Sequence, residues 1–184
     1  MVTVDAVKTK QDIQLVAHLL KKYGGDMYAD IWRIGINLSL RISDLLSIKY
    51  DDLDLDNRIL KLKEQKTGKS KEIRLNNTVI DIVEKRRNAM PDDIYLFQVH
   101  SNRSSNKPVS RQMVARKFKE VGETMNMSIS THSMRKTRGF AMWNDGVPVE
   151  MISKVLNHST PAVTMAYIGI TKQEVLDTYD RYEL

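Results

Sequence analysis

DMYADIWRIGINLSLRISDLLSI, residues 26–48, decides the architecture. Ile31, Trp32, Ile34, Gly35, Ile36 and Leu38 follow one another with almost no polar break. Apolar residues set nearly all round a 3.6-residue period predict a helix buried on every side. Asp26 reads as its N-cap, after Gly24 and Gly25 have ended an earlier helix over 10–22. In that earlier helix Ile13, Val16, Ala17, Leu19 and Leu20 keep a helical spacing. Ile42–Leu46 reads as a further helical turn, with Arg41 at its start.

Downstream the period changes. RILKLK (58–63) and KEIRL (71–75) have the composition of short strands, with KTGK (66–69) between them as a turn. This predicts a small antiparallel hairpin or sheet rather than a βαβ unit. Helical patterns resume over about 78–88, 111–125, 131–144, 149–156, 161–167 and 171–179. SNRSSNKP (101–108) reads as a surface loop. The expected fold class is mainly α with a small antiparallel β-sheet, an α+β domain.

A length of 184 residues suits one compact domain, and 41% hydrophobic residues can fill a core. The absence of cysteine excludes a disulfide scaffold, thiol catalysis and Cys-ligated zinc. A net charge of +6 favours polyanionic partners, above all nucleic acid. The first ten residues contain no apolar h-region, and no apolar run nears the ~20 residues that span a bilayer. A cytoplasmic protein without membrane contact is therefore expected.

Three elements set polar groups against apolar helical segments. Arg41 follows an almost unbroken apolar run, and a charge beside so much core needs a partner. Asp44, three residues on, is the plain structural choice. In THSMRKT (131–137), His132 and Arg135 project from one helical face. Ser130 or Thr131 serves as N-cap and places His132 in the first turn, an end that attracts phosphate. In LNHSTPAVTMAYIGI (156–170), Thr160-Pro161 is an N-cap followed by proline at the first helical position. His158 lies in the turn before that helix and Tyr167 near its end. Taken singly, each also reads as ordinary structure: a paired arginine, a solvated polar face, a core tyrosine with a bonded hydroxyl.

Together they form an ordered set: Arg41, Lys66, His132, Arg135, His158 and Tyr167. This set resembles the tyrosine recombinase (phage integrase) family. The stretches carrying the resemblance are LSLRISDLLSI (38–48), EQKTGKSKEIRL (64–75), THSMRKTRGFAMWNDG (131–146) and VLNHSTPAVTMAYIGI (155–170). It runs from about Lys10 to the C-terminus. Two positions depart from the family pattern. Ser39 stands where the family often has Gly before the first arginine, and Asn157 where it favours the Gly of LGHS. Asn tolerates left-handed backbone angles, so the second turn is expected to survive.

The resemblance implies a helical catalytic domain with a three-stranded sheet, occupying 1–184 without the family's N-terminal core-binding domain. It implies attack of a tyrosine hydroxyl on a DNA phosphodiester, giving a 3′-phosphotyrosine and a free 5′-hydroxyl. A second strand's 5′-hydroxyl then reverses the step, so neither ATP nor any other cofactor or metal is expected. Arg41 and Arg135 would grip the non-bridging oxygens. Tyr167 would be the nucleophile, and with a hydroxyl pKa near ~10 it needs a base, His132. His158 would donate a hydrogen bond to a phosphate oxygen. Lys66, which opens the turn, would protonate the leaving oxygen, with Lys69 and Lys71 as near rivals and Lys63 a weaker one. Asp44 would hold Arg41. Lys69, Lys71, Arg111, Arg116, Lys136 and Arg138 are expected along the face that meets double-stranded DNA.

In the last segment Val175, Leu176 and Tyr179 form an amphipathic stripe. In the family such a helix packs on a neighbouring subunit of a DNA-bound homotetramer. Docking on its own domain is the alternative, and a monomer is expected without DNA. Three other readings remain at this level: a non-catalytic DNA-binding regulator, a type IB topoisomerase-like enzyme, and a basic protein-interaction module.

Overall fold

The computed structural model describes residues 5–66, 68–101, 104–169 and 172–181. Thr9 starts α1 (Lys10–Gly24), its hydroxyl accepting from the Asp12 amide at 3.0 Å. Gly25, at φ 92°, turns the chain into α2 (Asp26–Leu38). The cap is therefore Gly25, and Asp26 is the first helical residue, its carboxylate 2.9 Å from Lys21. An acid in that first turn still offsets the positive end of the helix dipole.

Helix α2 is the central element, as its sequence requires. Ile31, Trp32 and Ile34 are wholly buried, and Trp32 meets Phe118 edge-on at 5.7 Å. The indole Nε1 donates to the Ile13 carbonyl at 3.1 Å, so the buried ring keeps its polar atom satisfied. Helix α2 ends at Ser39, in left-handed geometry (φ 51°), and α3 (Ile42–Leu46) follows with Arg41 at its N-cap.

A 3-10 turn (Tyr50–Asp52) leads into an antiparallel sheet of β1 (Leu53–Asp54), β2 (Ile59–Lys63) and β3 (Ser70–Arg74). Leu53 faces Leu60, and the β2–β3 register runs from Ile59 opposite Arg74 to Lys63 opposite Ser70. Asn76 caps α4 (Asn77–Ala89) through the Val79 amide.

The 101–108 segment differs from the expected loop. It contributes to a hairpin of β4 (Gln98–Ser101) and β5 (Ser104–Pro108). Its polar residues carry no strand pattern, so the pairing comes from the base of the hairpin. There Phe97 and Val109 are buried and joined by a backbone hydrogen bond of 2.9 Å. Buried Gln98 accepts from the Ile94 amide at 3.1 Å.

Helices α5 (Arg111–Thr124) and α6 (Ser133–Asn144) complete the main core, which reaches Met134. Then α7 (Val149–Leu156), α8 (Pro161–Ile168) and α9 (Lys172–Arg181) follow. Thr160 caps α8 by accepting from the Val163 amide, with Pro161 at the first position. Ile152, Leu156 and Ile168 make a second, smaller apolar cluster with Met142, Trp143, Val147 and Tyr167 around them. Gly139 lets α6 approach it closely: a Cβ there would lie 2.7 Å from Ile168 Cγ2 and 3.1 Å from Leu156 Cδ1.

Candidate active site

Arg41, Lys66, Arg111, Thr131, His132 and Arg135 line one cleft of about 500 Å³. Four segments distant in sequence supply it: the α3 N-terminus, the β2–β3 turn, the α5 N-terminus and the α6 N-terminus. Arg41, Lys66, Arg111 and Arg135 make the cleft basic, with Ile42, Ser43 and Gln65 between them, and Tyr167 and His158 lie within the field of buried Arg135.

Arg135 is buried and its guanidinium forks between two carbonyls, those of Ser39 and Leu156. Both carbonyls close helices, α2 and α7, where chain direction changes at a left-handed residue (Ser39 φ 51°, Asn157 φ 50°). The two positions where the motif departs from glycine are thus the positions that adopt glycine-like angles. Burial weighs against the Arg135 charge, while Tyr167 and Glu64 favour it.

Arg41 meets Glu64, not Asp44. Its Nη1 lies 3.2 Å from Glu64 Oε2, a carboxylate almost wholly buried. Asp44 instead accepts from the Gln65 backbone amide at 2.9 Å through Oδ1, and so holds the root of the Lys66 turn. The expected Arg41–Asp44 pairing is corrected for a geometric reason. Arg41 is the cap of a five-residue helix, and β2 delivers Glu64 to its guanidinium.

The end of α7 gathers three charged side chains in consecutive positions. Lys71 Nζ donates to the Val155 carbonyl at 3.0 Å, Arg135 reaches the Leu156 carbonyl, and the Asn157 amide donates to Glu64 at 2.6 Å. Lys71 is therefore turned inward rather than out to a ligand. Burial lowers its pKa, and Arg135 and Arg41 lower it further against the opposing pull of Glu64.

His132 itself is the N-cap of α6, where Ser130 or Thr131 was expected, and its amide donates to Ser130 Oγ at 3.1 Å. The residue is exposed. Partial desolvation lowers its pKa, and Arg135, Lys136, Arg41 and Arg111 add to the shift. His158 is lowered to about 4, by burial first and then by Arg135 and Arg41. Its Nδ1 lies 3.0 Å from Thr164 Oγ1, which in turn is 2.7 Å from Ser153 Oγ.

Tyr167 stands edge-on to the His158 ring, and its hydroxyl donates to the His132 backbone carbonyl at 3.4 Å. The nearby Arg135 charge favours the ionised phenol. Burial nevertheless raises the Tyr167 pKa above its ordinary value, against the pull of Arg135 and Arg41. The hydroxyl is therefore a neutral donor in this state.

The remaining expected contacts divide. Lys66 and Lys69 are exposed in the turn, whose Thr67 lies outside the described residues. Arg111 joins the cleft. Lys136 Nζ sits 5.3 Å from the Tyr167 ring centroid. Arg116 is in a surface ion pair with Glu120 on α5, away from the cleft lining. Arg138 is half-buried, with Nε enclosed. On α9, Leu176 and Tyr179 are exposed, and the Val175 side chain lies outside the described residues.

A helical domain with this small sheet and this cationic cleft has the architecture of the tyrosine recombinases, the class of enzyme that performs site-specific DNA recombination. The phage integrase family model matches residues 9–174, and the chain belongs to that family. It is 31% identical to the probable integrase/recombinase YoeC of Bacillus subtilis (strain 168), over 96% of this chain and 95% of that protein. It is 26% identical to the tyrosine recombinase XerA of Pyrococcus furiosus over 79% of this chain, spanning 51% of that relative. The crystal structure of XerA recombinase superposes with a TM-score of 0.74 at 15% identity, covering 100% of this chain and 66% of that one. A lambda integrase dimer bound to a COC′ core site gives 0.70 at 15% identity, over 94% and 62% of the two chains. Among the described residues no helix is long and apolar enough to cross a membrane.

Proposed function

We propose that residues 1–184 act as a recombinase catalytic domain that cleaves and rejoins duplex DNA through a phosphotyrosine at Tyr167. The observation that carries this reading is the convergence of Arg41, Lys66, His132 and Arg135 on one cleft, with the Tyr167 hydroxyl bonded beside it. The scissile phosphate would sit between the two guanidiniums, which neutralise charge gathering on its non-bridging oxygens. Tyr167 Oη leaves the His132 carbonyl and attacks phosphorus while the His132 imidazole takes its proton. The phosphorus–O5′ bond breaks, and Lys66 protonates the departing 5′-oxygen. A 3′-phosphotyrosine and a free 5′-hydroxyl result. Attack by another strand's 5′-hydroxyl returns the phenol, so the phosphodiester count is conserved.

His158, neutral over most of the pH range, would donate a hydrogen bond to a phosphate oxygen. Lys69, Arg111, Lys136 and the outer basic residues would meet flanking phosphates in a salt-dependent, sequence-blind way. On DNA, α9 would dock on a neighbouring copy to build a homotetramer; without DNA the chain would be a monomer in the cytoplasm.

A suicide duplex that loses a short 5′-hydroxyl fragment after cleavage tests the reading. Wild-type protein should accumulate a covalent adduct stable to denaturant, and Tyr167→Phe should form none. An adduct that persists in Tyr167→Phe, or no adduct from the wild type, defeats it.

A further inference from the structure

We infer that Glu64 and Asn157 form a positioning pair that sets Arg41 and ties the Lys66 turn to the His158 turn. The inference rests on the strand-transfer reading above and adds two residues to it. Glu64 is 2% exposed although Lys63 and Lys66, on either side, are exposed. A carboxylate is not buried without strong partners. Here they are the Arg41 guanidinium at 3.2 Å and the Asn157 amide at 2.6 Å.

The Glu64 backbone is committed as well. Its amide donates to the Lys69 carbonyl at 2.9 Å, and its carbonyl accepts from Gly68 at 2.8 Å. These bonds close the turn that carries Lys66. One residue therefore fixes a cleft guanidinium through its side chain and the turn of the expected general acid through its backbone.

Asn157 supplies the third connection. At φ 50° the backbone would be served as well by glycine. Glycine, however, has no amide to reach across to Glu64. The next residue is His158, whose own amide donates to the Ser153 carbonyl at 2.9 Å. A pull on the Asn157 side chain is thus a pull on the backbone that aims His158.

Charge explains why a carboxylate sits there. Arg41, Arg135 and Lys71 converge, and the two arginines both disfavour the charge on Lys71 while Glu64 favours it. Before a phosphate arrives, Glu64 is the counter-charge that lets these cations share one region without moving apart.

The test uses the full chain, a negatively supercoiled plasmid as probe, and Asn157→Gly, Glu64→Gln and the double variant, with Tyr167→Phe as control. Asn157→Gly relieves a left-handed non-glycine but removes one donor to buried Glu64, so the two effects oppose and its melting temperature should change little. Plasmid affinity should stay within about twofold, while the single-turnover rate of covalent adduct falls roughly tenfold or more through misplacement of reacting groups. Glu64→Gln should lose a comparable amount, and the double variant should lose no more than the worse single one. An Asn157→Gly rate within about twofold of wild type, or losses that multiply in the double variant, overturns the pair. Should wild type give no Tyr167-dependent adduct, the strand-transfer reading fails instead. Side-chain NMR of Arg41 then decides the pairing. Separately resolved guanidinium signals in wild type that merge in both single variants uphold it, and identical spectra in all three refute it.

Discussion

The Tyr167 phenol stands at 79° to the His158 imidazole, with 4.8 Å between ring centroids. The histidine that would hold the phosphate thus also forms one wall of the nucleophile's resting place. Its ring is fixed from the far side by Thr164, through Nδ1.

Thr164→Val keeps the shape of that buried residue and deletes its hydroxyl. It should leave His158 Nδ1 and Ser153 Oγ without their partner and cost about 1–3 kcal/mol in denaturant unfolding. The adduct rate should fall by roughly tenfold, more than the loss of folded protein explains. A variant that is destabilised yet reacts at the wild-type rate would show that Thr164 serves packing alone.

Acid should weaken the fold through its histidines. The folded pKa of His158 is about 4, below the unfolded value of ~6.5, and His132 is shifted in the same direction. The unfolded state therefore binds more protons in this window. The stability from keeping these rings neutral is complete above ~6.5 and is lost as pH falls toward the folded pKa of about 4. Melting curves between these limits should drop, and His158→Asn should flatten the slope. Bound phosphate would oppose the two arginines and raise the His158 pKa, so DNA binding near pH 5 should take up protons, measurable by calorimetry in two buffers.

Arg135→Lys should be a severe change. A lysine ammonium cannot fork between the Ser39 and Leu156 carbonyls, so one buried acceptor loses its donor. The expected destabilisation is about 1–3 kcal/mol, and adduct formation should vanish. Restoration of activity by added guanidinium in Arg135→Ala would confirm that the forked group itself is needed; wild-type adduct rates in Arg135→Lys would contradict the assignment.

Gly139→Ala places a methyl where Ile168 Cγ2 lies 2.7 Å away. The added carbon should push α8 outward and carry Tyr167 with it. Hydrogen exchange should accelerate in α8 while α2 stays protected, and the adduct rate should fall more than global stability. Equal acceleration in both helices would mean that the two clusters unfold as one.

Much of this was readable along the chain. The helix through Ile31, Trp32 and Ile34 is buried on all sides because its apolar residues leave no polar stripe. The ends of α3, α7 and α8 were marked by Arg41, Asn157 and Thr160-Pro161. Singly, the six expected site residues read as ordinary structure; the resemblance to the family joined them into a set and singled out Lys66 from Lys69 and Lys71. What escaped were contacts between segments. Glu64, between Lys63 and Gln65, was not singled out, because nothing local shows that β2 delivers it to Arg41. Asp44 was given the arginine because three-residue spacing is visible in sequence, whereas its bond to the Gln65 amide crosses 21 positions. Lys71 looked like another surface cation because the carbonyl that turns it inward belongs to Val155. The β4–β5 ladder was hidden for the same reason: its pairing is imposed by buried Phe97 and Val109 at its base.

The small cluster of Ile152, Leu156 and Ile168 stands apart from the larger core around Trp32 and Phe118. The phenol-bearing helix packs on that smaller cluster and is held as well by Thr164 on Ser153 and His158 and by the Tyr167 hydroxyl on the His132 carbonyl. If those local contacts open before the larger core does, the phenol would swing away while Arg41 keeps its place on Glu64, and the cleft would receive a phosphate before the proposed nucleophile is committed.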